Sequence, residues 1–186
     1  MTAAWELPRR AVIGEREYDL NTDYRQVLQI VNQLEDPELP EYLRWWVAVE
    51  LFYCQAIPAR DRQEAMEYLA QFLSGGSQEV SGGKKLLDWE HDSALIVADI
   101  NKTAGMEIRS LPYLHWWTFL AYFHAIGEGQ LSTVVSIRDK LSRGKQLEAW
   151  EKEYYRAHRC QVELPKRYTQ QELEQRRQLE QLLKGR

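Results

Sequence analysis

The side chains that could do chemistry are few and poorly assembled. Four histidines, His91, His115, His124 and His158, are the candidate bases or metal ligands. None has the H-x-x-x-H or H-E-x-x-H spacing that sets two imidazoles on one helix face, so no metal and no cofactor is expected. His91 has an acid beside it in Asp92, but residues adjacent in sequence point to different faces of a helix. His115 and His124 are nine residues apart. On one helix that is about two and a half turns, too far to share a ligand. His115 stands beside Trp116 and Trp117 and reads as a hydrogen-bonded histidine of the core or its boundary.

Nucleophiles are no better placed. Cys54 lies in an apolar run with no histidine near it, and reads as an inert buried thiol. Cys160, close to His158 and Arg159, is the better candidate for a reactive one. Two widely spaced cysteines do not make a disulfide framework. There is no G-x-S-x-G. Gly75-Gly76 and Gly82-Gly83 form neither a Walker A loop nor G-x-G-x-x-G, and no strand precedes them. Glu148, Glu151 and Glu153 read as the solvated face of a helix. No catalytic residue is nominated, and the expectation is that the chain is not an enzyme.

The elements that would hold these residues are mostly helical. Ala11–Ile13 and Tyr18–Leu20 flank a loop opened by Gly14, a short hairpin that must pack on helices or on another subunit. After caps at Asn21-Thr22, the apolar residues Tyr24, Val27, Leu28, Val31 and Leu34 follow helical spacing. Asp36-Pro37 ends that helix. Pro40 opens a second one to about Gln55, apolar on most sides and so expected to be buried. Asp61 and Glu64 have capping-box spacing ahead of Ala65, Leu69 and Leu73. Ser74–Lys85 holds four glycines and three serines and reads as a flexible linker.

Beyond the linker, Trp89, Ile96 and Ile100 mark a helix from about Asp88 to Thr103. Ser110, Pro112 and Gly127 bracket a central aromatic helix of roughly 14 residues containing Trp116, Trp117, Phe119, Tyr122 and Phe123. Ser132 can cap the next. Leu147, Trp150, Tyr154 and Ala157 form a further stripe. Thr169 with Glu172 is a second capping box, opening a terminal helix with Leu173, Leu179, Leu182 and Leu183. These leucines either dock the helix or bind a partner.

The fold expected is therefore mostly α, a compact bundle of about seven helices with a small N-terminal β-hairpin. Its nominated core is Trp89, Ile96, Leu114, Trp117, Tyr122, Ile137 and Trp150. One domain over 1–186 is expected. Its subregions 11–73 and 86–186 are joined by 74–85, because each half alone is small.

Composition narrows the function. A hydrophobic fraction of 44% with seven Trp and ten Tyr can build a core. A net charge of −4 argues against general nucleic-acid binding. Residues 166–186 are the basic exception, with six Lys/Arg against three Glu. No apolar run is long enough for a membrane span, and the first ten residues lack the apolar stretch of a secretion signal.

Three groups of residues carry a family likeness. They are Asn21-Thr22-Asp23-Tyr24-Arg25 after the hairpin; Trp89-Glu90-His91-Asp92 with Ile96 and Gly105; and Leu111–Phe119 with Val135-Ser136-Ile137-Arg138. In them the chain resembles the tailed-phage gene-product-fifteen family. It departs at Tyr24, where phenylalanine is usual, and at Gly105-Met106-Glu107, where an aspartate is usual.

The resemblance implies a tail-assembly chaperone of siphophages and prophages, working in the host cytoplasm. Its implied partners are the tape-measure protein and the tail-tube protein. A homo-oligomer is left open. The rival readings are a structural tail or virion component, such as a tail-completion or connector protein, and a nucleic-acid-binding regulator using the basic C-terminal segment.

Overall fold

The first turn of the chain is a hairpin closed by Gly14, whose φ of +61° is the left-handed conformation glycine adopts most readily. In the computed structural model, which describes residues 6–76, 84–165, Thr169, Glu172, Glu174 and Gln175, β1 (Arg10–Ile13) pairs antiparallel with β2 (Arg16–Asp19). The side chains alternate as a pleat requires. Ala11, Ile13 and Tyr18 are buried and Val12 faces out. The hairpin is tied to helices. Leu20 bridges to Tyr53, and the Glu64 carboxylate accepts the Gly14 N–H at 2.9 Å. Glu64 is thus spent on the hairpin, and neither it nor Asp61 makes the expected capping box.

Eight α-helices follow among the described residues. They are α1 (Tyr24–Leu34), α2 (Glu41–Phe52), α3 (Arg62–Leu73), α4 (Ser93–Ala104), α5 (Trp116–His124), α6 (Gln130–Ser142), α7 (Ala149–Ala157) and the short α8 (Arg159–Val162). A mostly α fold with a small N-terminal hairpin is what the sequence predicts. Gly105 ends α4 at φ +68°. One apolar cluster draws on both sides of the glycine-rich segment: Val27, Phe52 and Leu69 before it, Ile100, Phe119, Val134 and Ile137 after it.

The central aromatic helix is shorter than the sequence suggests. α5 has nine residues and is capped at His115. The cause lies in Pro112, which disfavours helical backbone at Leu111, where ψ is 136°. Ser110 instead closes a 3-10 turn by donating to the Glu107 carbonyl at 2.7 Å. The following stretch pairs with the entry to α1. Tyr24 N–H donates to the Leu114 carbonyl at 2.9 Å, and Trp116 N–H to the Thr22 carbonyl at 2.8 Å. The two helix starts thus satisfy one another's orphan donors.

Other boundaries shift for similar reasons. Asp23, rather than Asn21 or Thr22, caps α1 by accepting the Arg25 N–H. α4 starts at Ser93, because the Asp88 carboxylate first closes a turn on the N–H groups of Glu90 and His91. α6 starts at Gln130, with Gly129 as cap and Ser132 donating back to the Gly129 carbonyl. α7 is rotated from the expected stripe. Trp150, nominated for the core, is 57% exposed. Glu151, taken for a solvated residue, is buried and holds the α7 start by accepting the Glu148 N–H at 2.8 Å.

Candidate functional site

Two polar centres and one apolar face stand out. The deepest polar centre joins α4, α6 and α8. Asp92, at the start of α4, forms a two-pronged ion pair with Arg138 of α6, with both N–O distances 2.7 Å. Both side chains are buried. The guanidinium's remaining hydrogens reach the carbonyls of Leu86 (2.9 Å), Gln161 (2.8 Å) and Val162 (2.7 Å). All five donors are therefore engaged, and the second Asp92 oxygen also accepts the Asp88 N–H at 2.9 Å. A fully satisfied pair of this kind is a clamp and has no donor left for a substrate. It ties together the chain after the glycine-rich segment, α4, α6 and the exit from α8.

The second centre is His115. Its Nδ1 accepts the Trp117 N–H at 3.0 Å and its Nε2 meets the Pro8 carbonyl at 2.9 Å. The first bond fixes the neutral tautomer with the proton on Nε2. Burial is the main cause holding this imidazole below its ordinary range; the Arg9 charge adds to it and the Pro8 bond opposes it. A lowered folded value means the unfolded chain takes up the proton first as pH falls. The stability is therefore present above about pH 6.5 and is lost as pH drops toward the lowered value. Thermal melts are expected to be flat above that point and to fall as the pH drops below about 6.5. His115→Asn keeps a short acceptor at the cap and should flatten this fall. An unchanged slope in the variant would assign the effect to other groups.

The remaining histidines and thiols stay apart. His91 Nε2 lies 3.4 Å from the Gln161 carbonyl, and His158 stacks on Tyr154 with centroids 4.4 Å apart. Cys160 is exposed. Cys54 is exposed too, against the expectation of burial, because α2 stops at Phe52 and the chain turns out to pair with β2. Among the described residues no group of three or more His, Cys, Asp or Glu could hold a metal ion.

The apolar face belongs to α2. This helix is apolar on most sides, as its sequence indicates, but it buries only Ala48, Val49 and Phe52. Its outer side presents Trp46 and Leu51 at 41% and 43% exposure, with half-buried Leu43 and Val47 between them, and Tyr42 is exposed separately in the first turn. The Arg62 guanidinium lies 5.6 Å from the centre of the Trp46 ring. The expectation of burial therefore fails on this side. Scattered exposed apolar residues need no explanation, but Trp46, Leu43, Val47 and Leu51 lie within about 140° of one another around the helix, and that strip is the candidate interaction surface.

Of the nominated core, Ile96, Leu114 and Ile137 are buried, while Trp89, Trp117 and Tyr122 are half-buried against the cluster. The deepest tryptophan is Trp116, which was not nominated. Leu173, Leu179, Leu182 and Leu183 lie outside the described residues. The capping box ahead of them is formed: Thr169 Oγ1 accepts the Glu172 N–H at 3.2 Å, and Glu172 accepts the Thr169 N–H at 2.8 Å. Sequence reasoning missed the Asp92–Arg138 clamp, although both residues stand in the segments that carry the family likeness.

Among the described residues no helix is long and apolar enough to cross a membrane. A family model described as Bacteriophage Gp15 protein matches residues 6–164. No curated protein and no solved structure matches the chain.

Proposed function

This chain belongs to the Bacteriophage Gp15 protein family, a phage structural or morphogenesis protein, and from that premise we propose that it is a non-enzymatic tail-assembly chaperone. It binds the tape-measure protein, keeps it soluble and recruits tail-tube subunits in the host cytoplasm. The observation that carries this reading is the outer face of α2, where Trp46 and Leu51 stay exposed beside half-buried Leu43 and Val47 on a helix apolar enough to be buried.

The physical task fits such a face. A long apolar helical segment aggregates unless its stripe is covered, and covering it gains about 25 cal/mol per Å². Weak contacts repeated along the segment give avidity and still permit release. The polar centres support a scaffold role. Arg138 has every donor engaged by Asp92 and three carbonyls, and His115 is held between Trp117 and Pro8. Neither has a free partner for acid–base work.

Co-purification with the tape-measure and tail-tube proteins of the same genome tests the proposal. Wild type is expected to retain the tape-measure protein, and Trp46→Glu to lose most of it without loss of fold. Capture of neither partner by wild type defeats the chaperone reading. Mass spectrometry of finished virions separates the rival. A chaperone is absent from them, whereas a tail-completion or connector protein is present at fixed copy number.

A further inference from the structure

One carboxylate stands in the middle of the α2 strip. At about 100° per residue, Glu50 falls between Trp46 and Leu43 around the helix, with Val47 and Leu51 beyond them. Its side chain is exposed. A cation flanks the Trp46 edge of the same strip: the Arg62 guanidinium, at the start of α3, lies 5.6 Å from the centre of the Trp46 ring. Among the described residues neither charge has an ion-pair partner. An apolar strip with an unanswered carboxylate at its middle and an unanswered cation on one edge is complementary to itself.

We infer that two copies of the chain pair weakly through this strip, α2 antiparallel to α2, with Glu50 of each copy against Arg62 of the other. The symmetry of the pair selects this arrangement. A two-fold axis running across the helices brings like edges together, so the Trp46 edge of one copy, with its Arg62, meets the Trp46 edge of the other. A parallel pair would set Arg62 against the Leu51 edge, which carries Arg44, a cation facing a cation.

The register fits as well. Centred on Val47, the antiparallel pair sets Leu43 of one copy level with Leu51 of the other and covers Trp46 at the middle. Glu50 then stands about 3 Å of helix rise from Trp46 of the other copy, the ring that Arg62 overlies, within reach of a guanidinium. Five side chains on one helix, two of them half-buried, fall short of the roughly 800 Å² per partner of a stable complex. The pair is therefore reversible. A partner that needs the strip must displace the second copy, which lowers its apparent affinity by the fraction of chains left single. This pairing does not depend on which partner the chain serves.

Sedimentation velocity of the full-length chain, from micromolar to millimolar concentration, tests it. Wild type is expected to move from monomer toward dimer across that range. Glu50→Arg sets cation against cation at both contacts, and Arg62→Glu sets carboxylate against carboxylate. Each should weaken the dimer by roughly tenfold or more. Arg62→Glu is compatible with α3, since an acid suits the first turn of a helix. Mixing the two variants restores opposite charges at both contacts, so the mixture should dimerise as wild type does. Recovery on mixing also shows that neither variant lost its fold. A wild type that stays monomeric at millimolar concentration overturns the pairing and leaves the tape-measure reading to its own co-purification test. A dimer that neither substitution weakens overturns it too, as do two weakened variants that fail to recover on mixing.

Discussion

Replacing Arg138 with methionine is expected to cost about 3–5 kcal/mol, the largest effect of any single polar substitution in the chain. The variant leaves the Asp92 carboxylate buried with no cation, removes the guanidinium from the carbonyls of Leu86 and Val162, and leaves Gln161 only its 3.4 Å contact with His91. For a chain of this size the loss should lower the melting temperature by roughly 10 °C. Asp92→Leu added to Arg138→Met removes the unpaired charge, and replacing both members of a buried pair is often close to neutral. Recovery should still be incomplete, because the three carbonyls gain no donor. The residual loss should be local: limited proteolysis is expected to cut first near α8 and near Lys84–Leu87, the segments the guanidinium ties down. Full recovery in the double variant would mean that the carbonyl bonds contribute little. A single variant as stable as wild type would mean that water reaches Asp92 and that the clamp is not buried in solution.

The same pair marks the limit of what the sequence discloses. The hairpin, α1 and α3 were legible because each carries a local signal: Gly14 between short apolar runs, or apolar residues at helical spacing behind a cap. The clamp has no local signal. Asp92 and Arg138 are 46 positions apart, and each alone resembles any surface charge. Only the packing of α4 on α6 brings them together. The start of α5 fails for a related reason. Pro112 suits both a first helical turn and the extended residue pair before it, and the choice is made by a distant partner, the backbone of Thr22 and Tyr24.

Burial was misjudged where competing faces are equally apolar. On α7 the rotation turns Trp150 outward, and Glu151 goes inward because Lys140 meets it at 2.7 Å. On α2 the apolar content suggests burial on every side, yet only α1 and α3 have main contacts with it, and they cover one face. That exposed face is the candidate site, and it was visible in the sequence only as an excess of apolar residues.

The second large effect is expected at Trp116 and separates it from its neighbour. Trp116 is 2% exposed, stacks on Phe119 at 5.4 Å and meets the edge of Trp89 at 5.9 Å. Its indole N–H donates to the Leu73 carbonyl at 3.0 Å, one of the orphan acceptors at the end of α3. Trp116→Ala therefore opens a cavity beside Trp89 and Phe119 while freeing that carbonyl, for about 3–5 kcal/mol. Trp117 makes the parallel bond to the Phe72 carbonyl at 2.9 Å, but its ring is half-buried against Phe72 at 5.8 Å. Trp117→Ala removes less apolar surface from contact and should cost about 1–3 kcal/mol. Trp116→Phe keeps most of the ring and loses the donor, so it should cost about 1–2 kcal/mol, less than the alanine variant. Chemical denaturation of the three variants gives the order directly. If Trp117→Ala proves the more damaging, the α3–α5 junction is held by the outer indole, and the placement of the core around Trp116 is wrong. If both alanine variants stay as stable as wild type but lose partner binding, α5 is a working surface and not the centre of the fold.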